Sequence, residues 1–304
     1  MGGTRFVGKP LVAKLLSQGH SLTIFTRGNK PTPRNIEHLI GDRKSDHDLK
    51  VLRGRSFDVI IDTSGRNVQE TQKVIELTGA PKSRFLYLSS AGIYANTGYW
   101  PLREDSPIDS SSRHYGKVET EFWLKNEGIP FTSFRPTYIY GPGNYNPIER
   151  WFFDRILHNR PIPMPGDGQT ITQLGHVIDL ADAIQKSLNY KCAINQVYNC
   201  SGDQGITFQS LLFAASKACG KDPASLKIIS FSSSNLDSKA RKIFPLRLDH
   251  FITDTTKLQH DLEWIPKFDL ENGLIDSYKN DYLINPTKEP DFTSDKILIG
   301  EKDI

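Results

Sequence analysis

A glycine-rich turn stands at the head of the chain and opens directly into an apolar-periodic stretch. Met1-Gly2-Gly3-Thr4-Arg5-Phe6-Val7-Gly8 precedes the helical apolar spacing of residues 11–16, and residues 21–26 (SLTIFT) then read as a strand. Glycines at such spacing let a backbone turn tightly and approach a bulky anion, and they let the next helix pack closely on a sheet. A helix born in that turn aims its first N–H groups at whatever is bound there. The combination requires a β–turn–α–β crossover with a phosphate position at the helix start. The strand that should precede the turn is missing, and an open sheet without it would lose ladder partners on both sides. Either several apolar residues lie upstream of Met1, or the start has been assigned wrongly.

The remaining pattern alternates in the same way. Residues 38–40, 57–62 (FDVIID), 84–89 (RFLYLS) and 131–136 read as short strands, and residues 67–77 and 112–126 as helices. Strand–helix alternation with β-rich apolar runs predicts an α/β fold: a doubly wound parallel sheet covered on both faces. After Gly141-Pro142-Gly143 the texture changes. Helices near 148–158, 177–190, 207–218 and 269–280 are joined by Pro- and Gly-rich loops, with a short strand at 196–199. We therefore expect a Rossmann-type domain over 1–143, interleaved with segments around 170–200. A smaller mixed α/β lobe should span 144–285, followed by a loosely ordered polar tail over 286–304.

Composition excludes several classes. No apolar run approaches the ~20 residues needed to cross a bilayer, so no membrane span is expected. Cys192, Cys200 and Cys219 lack metal or redox spacing and read as reduced, partly buried residues. Net charge is only +3, but residues 1–60 hold eleven Lys/Arg against five Asp/Glu. That asymmetry allows phosphate contact through the N-terminal half, although a solvated basic face is the simpler explanation.

Five signatures in order resemble the extended short-chain dehydrogenase/reductase superfamily of nucleotide-sugar epimerases and dehydratases. They are Gly2–Gly8, Ser89-Ser90-Ala91-Gly92-Ile93-Tyr94, Lys117-x-x-x-Glu121, Arg135-Pro136-Thr137-Tyr138-Ile139-Tyr140-Gly141-Pro142-Gly143, and Gly168 with His176-Val177-x-Asp179-Leu180. Val197-Tyr198-Asn199 and Leu262-Glu263-Trp264-x-Pro266 add to them, so the resemblance runs to about residue 283. The turn GGTRFVG, the Lys117 helix and Phe244-Pro245-Leu246-Arg247 with His250-Phe251 are more narrowly similar to the chloroplast stem-loop-binding family and its cyanobacterial relatives. That branch implies RNA binding and endoribonuclease activity.

The resemblance also implies a site. Gly2, Gly3, Thr4, Arg5, Phe6, Val7 and Gly8 would cradle a pyrophosphate, with Arg5 replacing the usual central glycine. Arg27, after the second strand, suits a 2′-phosphate, so NADP is favoured over NAD, with an empty inherited cradle as the alternative. Asp42 matches the adenine-side acid, or forms a turn. In the superfamily a serine, a tyrosine and a lysine cooperate in proton and hydride transfer. Ser90 and Lys117 match the first and third as catalytic candidates, but the tyrosine position is Arg113. A guanidinium titrates above ~12 and cannot shuttle a proton near neutrality. Tyr115 lies two residues from Lys117, roughly 200° around a helix, so it could stand in only if the helix were distorted.

Substrate-side positions agree. Tyr138 and Thr172 replace residues that commonly hold a sugar nucleotide, while Arg247 retains one phosphate contact and His176 a structural hydrogen bond. Arg113, Lys117 and Arg5 in one cleft would instead offer fixed charge to a phosphodiester. Tyr94, Tyr99, Trp100, Tyr138 and Tyr145 would give stacking surfaces for unpaired bases, or pack as core. The expected function is RNA binding on a dehydrogenase/reductase scaffold, with endoribonuclease action on stem-loop or ribosome-associated RNA. The alternatives are an NAD(P)-dependent nucleoside-diphosphate-sugar epimerase or dehydratase, and a non-catalytic nucleotide-binding scaffold. No metal-ligand cluster stands out, although a nuclease could bring a divalent metal. The expected partners are RNA, a ribosome or RNA–protein assembly, and a second copy or paralogue packed on the Lys117 helix. The expected setting is the cytoplasm of a cyanobacterial-type cell or the plastid stroma.

Overall fold

Each apolar run in the first half becomes a parallel strand, and the amphipathic stretch after it becomes a covering helix. The computed structural model describes residues 1–300 except Pro147 and Asn235, and residues 301–304 lie outside the described part. It divides into two units. The first comprises Met1–Thr137, Val177–Ser201 and Thr253–Ile265. The second comprises Tyr138–His176, Gly202–Ile252 and Pro266–Ile304.

Within the first unit the elements are α1 (Gly8–Ser17), β1 (Thr23–Thr26), β2 (Glu37–Ile40), α2 (Asp46–Leu49), β3 (Val59–Asp62) and α3 (Val68–Thr78). They continue as β4 (Arg84–Leu88), α4 (Tyr115–Asn126), β5 (Phe131–Pro136), α5 (Val177–Lys186), β6 (Gln196–Cys200) and α6 (Thr256–Leu262). Four strands form a parallel sheet in the order β6–β5–β4–β3, with Phe85 opposite both Ile60 and Phe131. Every residue of β5 and all but the last of β4 are buried. Burial on both faces is why β4 reads as an apolar run after Arg84, while β5 buries Thr132, Ser133 and Arg135 as well. Asn67 caps α3 by accepting the Glu70 N–H at 3.0 Å, while the Glu70 carboxylate accepts the Arg66 N–H at 3.1 Å. This reciprocal cap fixes the helix start.

β1 and β2 pair with each other apart from the larger sheet. Met1 and Gly2 bridge the interval: the Gly2 N–H reaches the Phe25 carbonyl at 3.1 Å, and the Thr63 N–H reaches the Met1 carbonyl at 3.2 Å. Beneath them lies a cavity of about 60 Å³ lined by Thr23, Phe25, Val59, Ile60 and Ile61 among others. The glycine turn therefore retains its place at the sheet's carboxyl edge even where the ladder is interrupted.

One boundary differs from expectation. Helix α4 begins at Tyr115, not at Ser112. The preceding residues form tight turns, with the Tyr115 N–H on the Ser112 carbonyl and the Lys117 N–H on the His114 carbonyl, both at 2.9 Å. Ser112 is held out of the helix because its hydroxyl donates to the Gly92 carbonyl at 2.8 Å.

The second unit pairs Ile228–Phe231 with Ile162–Pro165, and Tyr138–Tyr140 with Leu174–His176. Its core is aromatic, with Trp151, Phe152, Phe153, Phe208 and Phe244 buried together. The segment from residue 286, expected as a loose tail, contains a docked helix, Asp295–Ile299. Arg155 forks the Asp295 carboxylate at 2.5 and 3.0 Å, and Leu298 and Ile299 join the core. Across the described residues no helix is long and apolar enough to cross a membrane.

Candidate phosphate-binding site

The parallel strands of the first unit release their polar residues at one edge, where open α/β sheets bind ligands. The glycine turn lies there. Gly2 and Gly3 have φ of 86° and 117°, in the region that favours glycine. A Cβ on Gly8 would stand 2.5 Å from the Gly3 backbone, so this close packing excludes any side chain. Arg5 replaces the central glycine without a positive φ; the strained value, 34°, falls on Phe6. Thr4, Phe6 and Val7 are buried and Arg5 is exposed. The turn thus keeps its shape and gains a cation beside the start of α1.

Arg27 follows β1, is exposed, and has no polar side-chain partner among the described residues. Asp42 follows β2 and acts as a turn former: its carboxylate accepts the Lys44 N–H at 2.9 Å. Its neighbour is more consequential. Arg43 forks the Asp62 carboxylate at 2.7 and 2.9 Å and approaches Glu70 at 3.2 Å. Asp62 ends β3, is fully buried, and also accepts the Ser64 and Gly65 N–H groups at 2.9 and 2.8 Å. Burial pushes its carboxyl up, but the Arg43 guanidinium overrides that and holds it well below the usual carboxylate range. The pair shapes the loop that presents Arg66. Like Arg27, Arg66 is exposed and its side chain lacks a partner among the described residues.

Ser90 accepts the Gly92 N–H at 3.1 Å and caps the short turn of helix Ala91–Ile93. Lys117 donates to the Leu88 carbonyl and lies 5.3 Å from the centroid of the Tyr87 ring. Among the described residues no tyrosine hydroxyl is hydrogen-bonded to Lys117. Tyr87 is buried, donates to the Gly65 carbonyl at 3.1 Å, and has its pKa driven up by burial. Arg113 is exposed on the turn before α4, and its Nε donates to His114 Nε2 at 3.1 Å.

Burial lowers the Lys117 pKa to about 8, opposed by Asp62 and reinforced by Arg66. The ammonium that can hold a phosphate therefore predominates below pH 8 and is lost above it. Affinity for a phosphate ligand is expected to fall as pH rises from 7 to 9, read by fluorescence anisotropy. Lys117→Arg, which stays charged throughout, should remove that component of the pH dependence.

Gly2–Gly8, Arg27, Arg66, Ser90, Arg113 and Lys117 all lie in the first unit, and Arg66 is near enough to act on the charge of Lys117. Arg66 and His114 were not singled out in the sequence. Arg66 stands four residues past the end of β3 and His114 next to Arg113. For the aromatic residues the structure separates packing from exposure. Tyr94 cannot stack on a base: it is 2% exposed, its hydroxyl donating to Asn199 at 2.7 Å and accepting from Arg135 at 3.0 Å. Tyr99 and Tyr145 are exposed, Trp100 and Tyr138 half-buried. Thr172 is buried, and Arg247 lies over the Phe251 ring at 4.5 Å. His176 is buried, stacked on Phe268 with ring centroids 3.8 Å apart, and 3.2 Å from Asp276. Its role is structural.

The glycine turn keeps the tight backbone that a pyrophosphate cradle needs. Hydride-coupled proton transfer would need a phenol hydroxyl bonded to Lys117, and among the described residues the ammonium bonds the Leu88 carbonyl instead. Among the described residues no group of three or more His, Cys, Asp or Glu is placed to hold a metal ion.

Comparison with known proteins agrees with this layout. The NAD dependent epimerase/dehydratase family matches residues 1–201. The chloroplast stem-loop binding protein of 41 kDa b from Arabidopsis thaliana is 41% identical over 99% of this chain and 84% of its own length. A dTDP-glucose 4,6-dehydratase from Streptomyces griseus is 24% identical over 68% of this chain and 62% of its own. Among solved structures, UDP-glucose 4-epimerase from Thermotoga maritima has a TM-score of 0.75 at 20% identity, covering 92% of this chain and 96% of that one. The dTDP-glucose 4,6-dehydratase from Bacillus anthracis, in complex with NAD, gives 0.74 at 20% identity, covering 93% and 95%. At such identity these structures establish the α/β fold alone.

Proposed function

The chain belongs to the NAD dependent epimerase/dehydratase family, and from that premise we propose that its phosphate site serves RNA, binding stem-loop or ribosome-associated RNA as an endoribonuclease. The observation that carries this reading is the Lys117 environment: a lysine beside a glycine phosphate cradle, with Arg113 where a tyrosine would run redox chemistry. Arg27, Arg66 and Arg113 are exposed cations of the same unit. Guanidinium forks suit phosphodiester oxygens, and their charge does not depend on pH near neutrality. The 41% identical relative, named for binding stem-loops in chloroplasts, supports RNA as the ligand and the plastid stroma as the setting.

The rival reading is an NAD(P)-dependent enzyme acting on a nucleoside-diphosphate sugar. The intact backbone of the glycine turn favours retained dinucleotide binding, with NADP preferred through Arg5 and Arg27. A bound dinucleotide would then compete with RNA for one cradle.

Titration of a fluorescent stem-loop RNA, NADP and NAD against the purified protein ranks these ligands. Four single-strand phosphate contacts, from Arg27, Arg66, Arg113 and Lys117, give a slope of about −2.8 in log K against log salt, or about 50-fold weaker binding between 50 and 200 mM. RNA binding insensitive to salt, or turnover of nicotinamide with a sugar nucleotide, would overturn the proposal.

A further inference from the structure

We infer that the second unit carries a small-molecule site of its own, which takes a phosphate monoester of a polyhydroxylated body, such as a sugar phosphate. The site is a cavity between the helix Ile148–Leu157, the short turn Ala240–Lys242 and the segment that enters the helix Asp295–Ile299. All of these belong to the second unit, so the site does not depend on which ligand the first unit binds.

The cavity holds about 410 Å³, within the ~300–1,000 Å³ of pockets that enclose small molecules. Trp151 and Ile243 give it an apolar wall, and the remaining lining is polar. Its cations come in a pair. Lys239 is the N-cap of the turn Ala240–Lys242, and the Lys242 N–H closes that turn on the Lys239 carbonyl at 3.0 Å. Residues three apart eclipse one another on a 3₁₀ turn, so both lysines reach the cavity from the same face. Arg241 between them turns elsewhere, donating to the Leu236 and Ser233 carbonyls at 3.3 and 3.2 Å. Both lysines are exposed, and neither side chain has a partner among the described residues. Two neighbouring ammonium groups without a counter-ion suit one phosphate group.

The acids of the lining restrict the rest of the ligand. Asp154 accepts the Tyr282 hydroxyl at 2.7 Å and the Thr287 hydroxyl at 3.2 Å. One oxygen of Asp291 accepts the Thr293 N–H at 2.9 Å and its hydroxyl at 2.7 Å. A carboxylate offers about four acceptor sites, so each acid keeps capacity for further donors. A ligand charged along its whole length, such as a polyphosphate or a strand of RNA, would press phosphates against these carboxylates, and like charges repel. A neutral body bearing hydroxyl groups meets no such penalty. Donors for its oxygens are present as well. Ser294 lines the cavity, and buried Arg155 spends three of its five N–H groups on Asp295 and the Trp151 carbonyl. An anionic head on the lysines and hydroxyl groups against the acids describe a monosaccharide phosphate.

Calorimetric titration of the full chain with glucose 6-phosphate, ribose 5-phosphate, glucose and inorganic phosphate tests this, with hydrogen exchange of residues 286–299 followed alongside. At least one sugar phosphate should bind about tenfold or more tightly than glucose or inorganic phosphate, the worth of one hydrogen bond to a charged group. It should also slow exchange in that segment, to which Asp291 and Ser294 belong. Lys239→Ala/Lys242→Ala replaces two exposed side chains and should weaken that ligand about 100-fold, with unfolding temperature unchanged and the protection lost. Inorganic phosphate that binds as tightly as both sugar phosphates would overturn the assignment of a hydroxylated body. Equal affinity in the double variant would overturn the assignment of the lysines. The proposal also fails if neither sugar phosphate gives heat or protection, or if stem-loop RNA protects the same segment and excess sugar phosphate does not displace it.

Discussion

Glu121→Ala is expected to lower the unfolding free energy by about 3–5 kcal/mol, the usual cost of leaving a buried charge without its partner. Glu121 on α4 and Arg135 on β5 pair at 2.5 Å with side chains only 4% and 5% exposed. The carboxylate also accepts from the Ser133 hydroxyl at 2.7 Å, and the guanidinium reaches Tyr94 and the Glu104 carbonyl, each at 3.0 Å. Removing the acid strands the guanidinium in a region water cannot enter. In a chain of this size the loss corresponds to roughly 6–15 °C in Tm. The double replacement Glu121→Leu with Arg135→Met should recover more than half of it, because no buried charge remains. Thermal and urea unfolding of the three variants test this. A cost below about 1 kcal/mol for the single variant would show that the pair is solvated in solution. The pair also bears on function, since Glu121 and Lys117 are successive turns of one helix.

Asp62→Ala should be comparably costly, about 3–5 kcal/mol, and should also weaken RNA binding. The carboxylate is the main counter-ion of Arg43 and the acceptor for the loop that begins at Ser64. That loop carries Arg66 and supports the start of α4: a Cβ on Gly116 would lie 2.6 Å from the Arg66 carbonyl. Loss of the acid therefore frees both a phosphate contact and the segment that positions Lys117. The pH dependence has a definite sign. A carboxyl held below its unfolded value stabilises the native state above about pH 4, and that contribution is lost as pH falls through the folded value. Wild-type stability should thus decline on acidification, and Asp62→Asn should decline less. Equal acid sensitivity in the two proteins would contradict the ion-pair account.

Much of the first unit was legible because its strands are buried on both faces. Phe85, Leu86 and Tyr87, or Val59, Ile60 and Ile61, can be read as apolar runs without knowing their partners. The glycine turn was legible for a different reason: Gly8 meets Gly3 backbone, a contact no other residue permits. What remained hidden depends on contacts between distant residues. Ser112 continues the helical pattern of α4 but is withdrawn by its bond to Gly92, twenty residues earlier. Tyr94 resembles a surface aromatic until Arg135 and Asn199 claim its hydroxyl. Asp295 lies in a polar stretch, and only Arg155 explains its burial. The pairing of Ile171–Thr172 with Ile206–Thr207 involves two residues on each side, too few to show any period. In the site, Lys117 and Ser90 followed from motif spacing. Arg66 and His114 did not, because periodicity says nothing about which loop residues converge at the carboxyl ends of strands.

The most direct test of an RNA site built from these cations is the salt dependence of stem-loop binding in wild type and in Arg66→Ala/Arg113→Ala. Removing two of four phosphate contacts should reduce the slope to about −1.4, so that raising salt from 50 to 200 mM weakens binding about 7-fold instead of about 50-fold. An unchanged slope in a folded double variant would place the RNA elsewhere on the protein and contradict the assignment of this site.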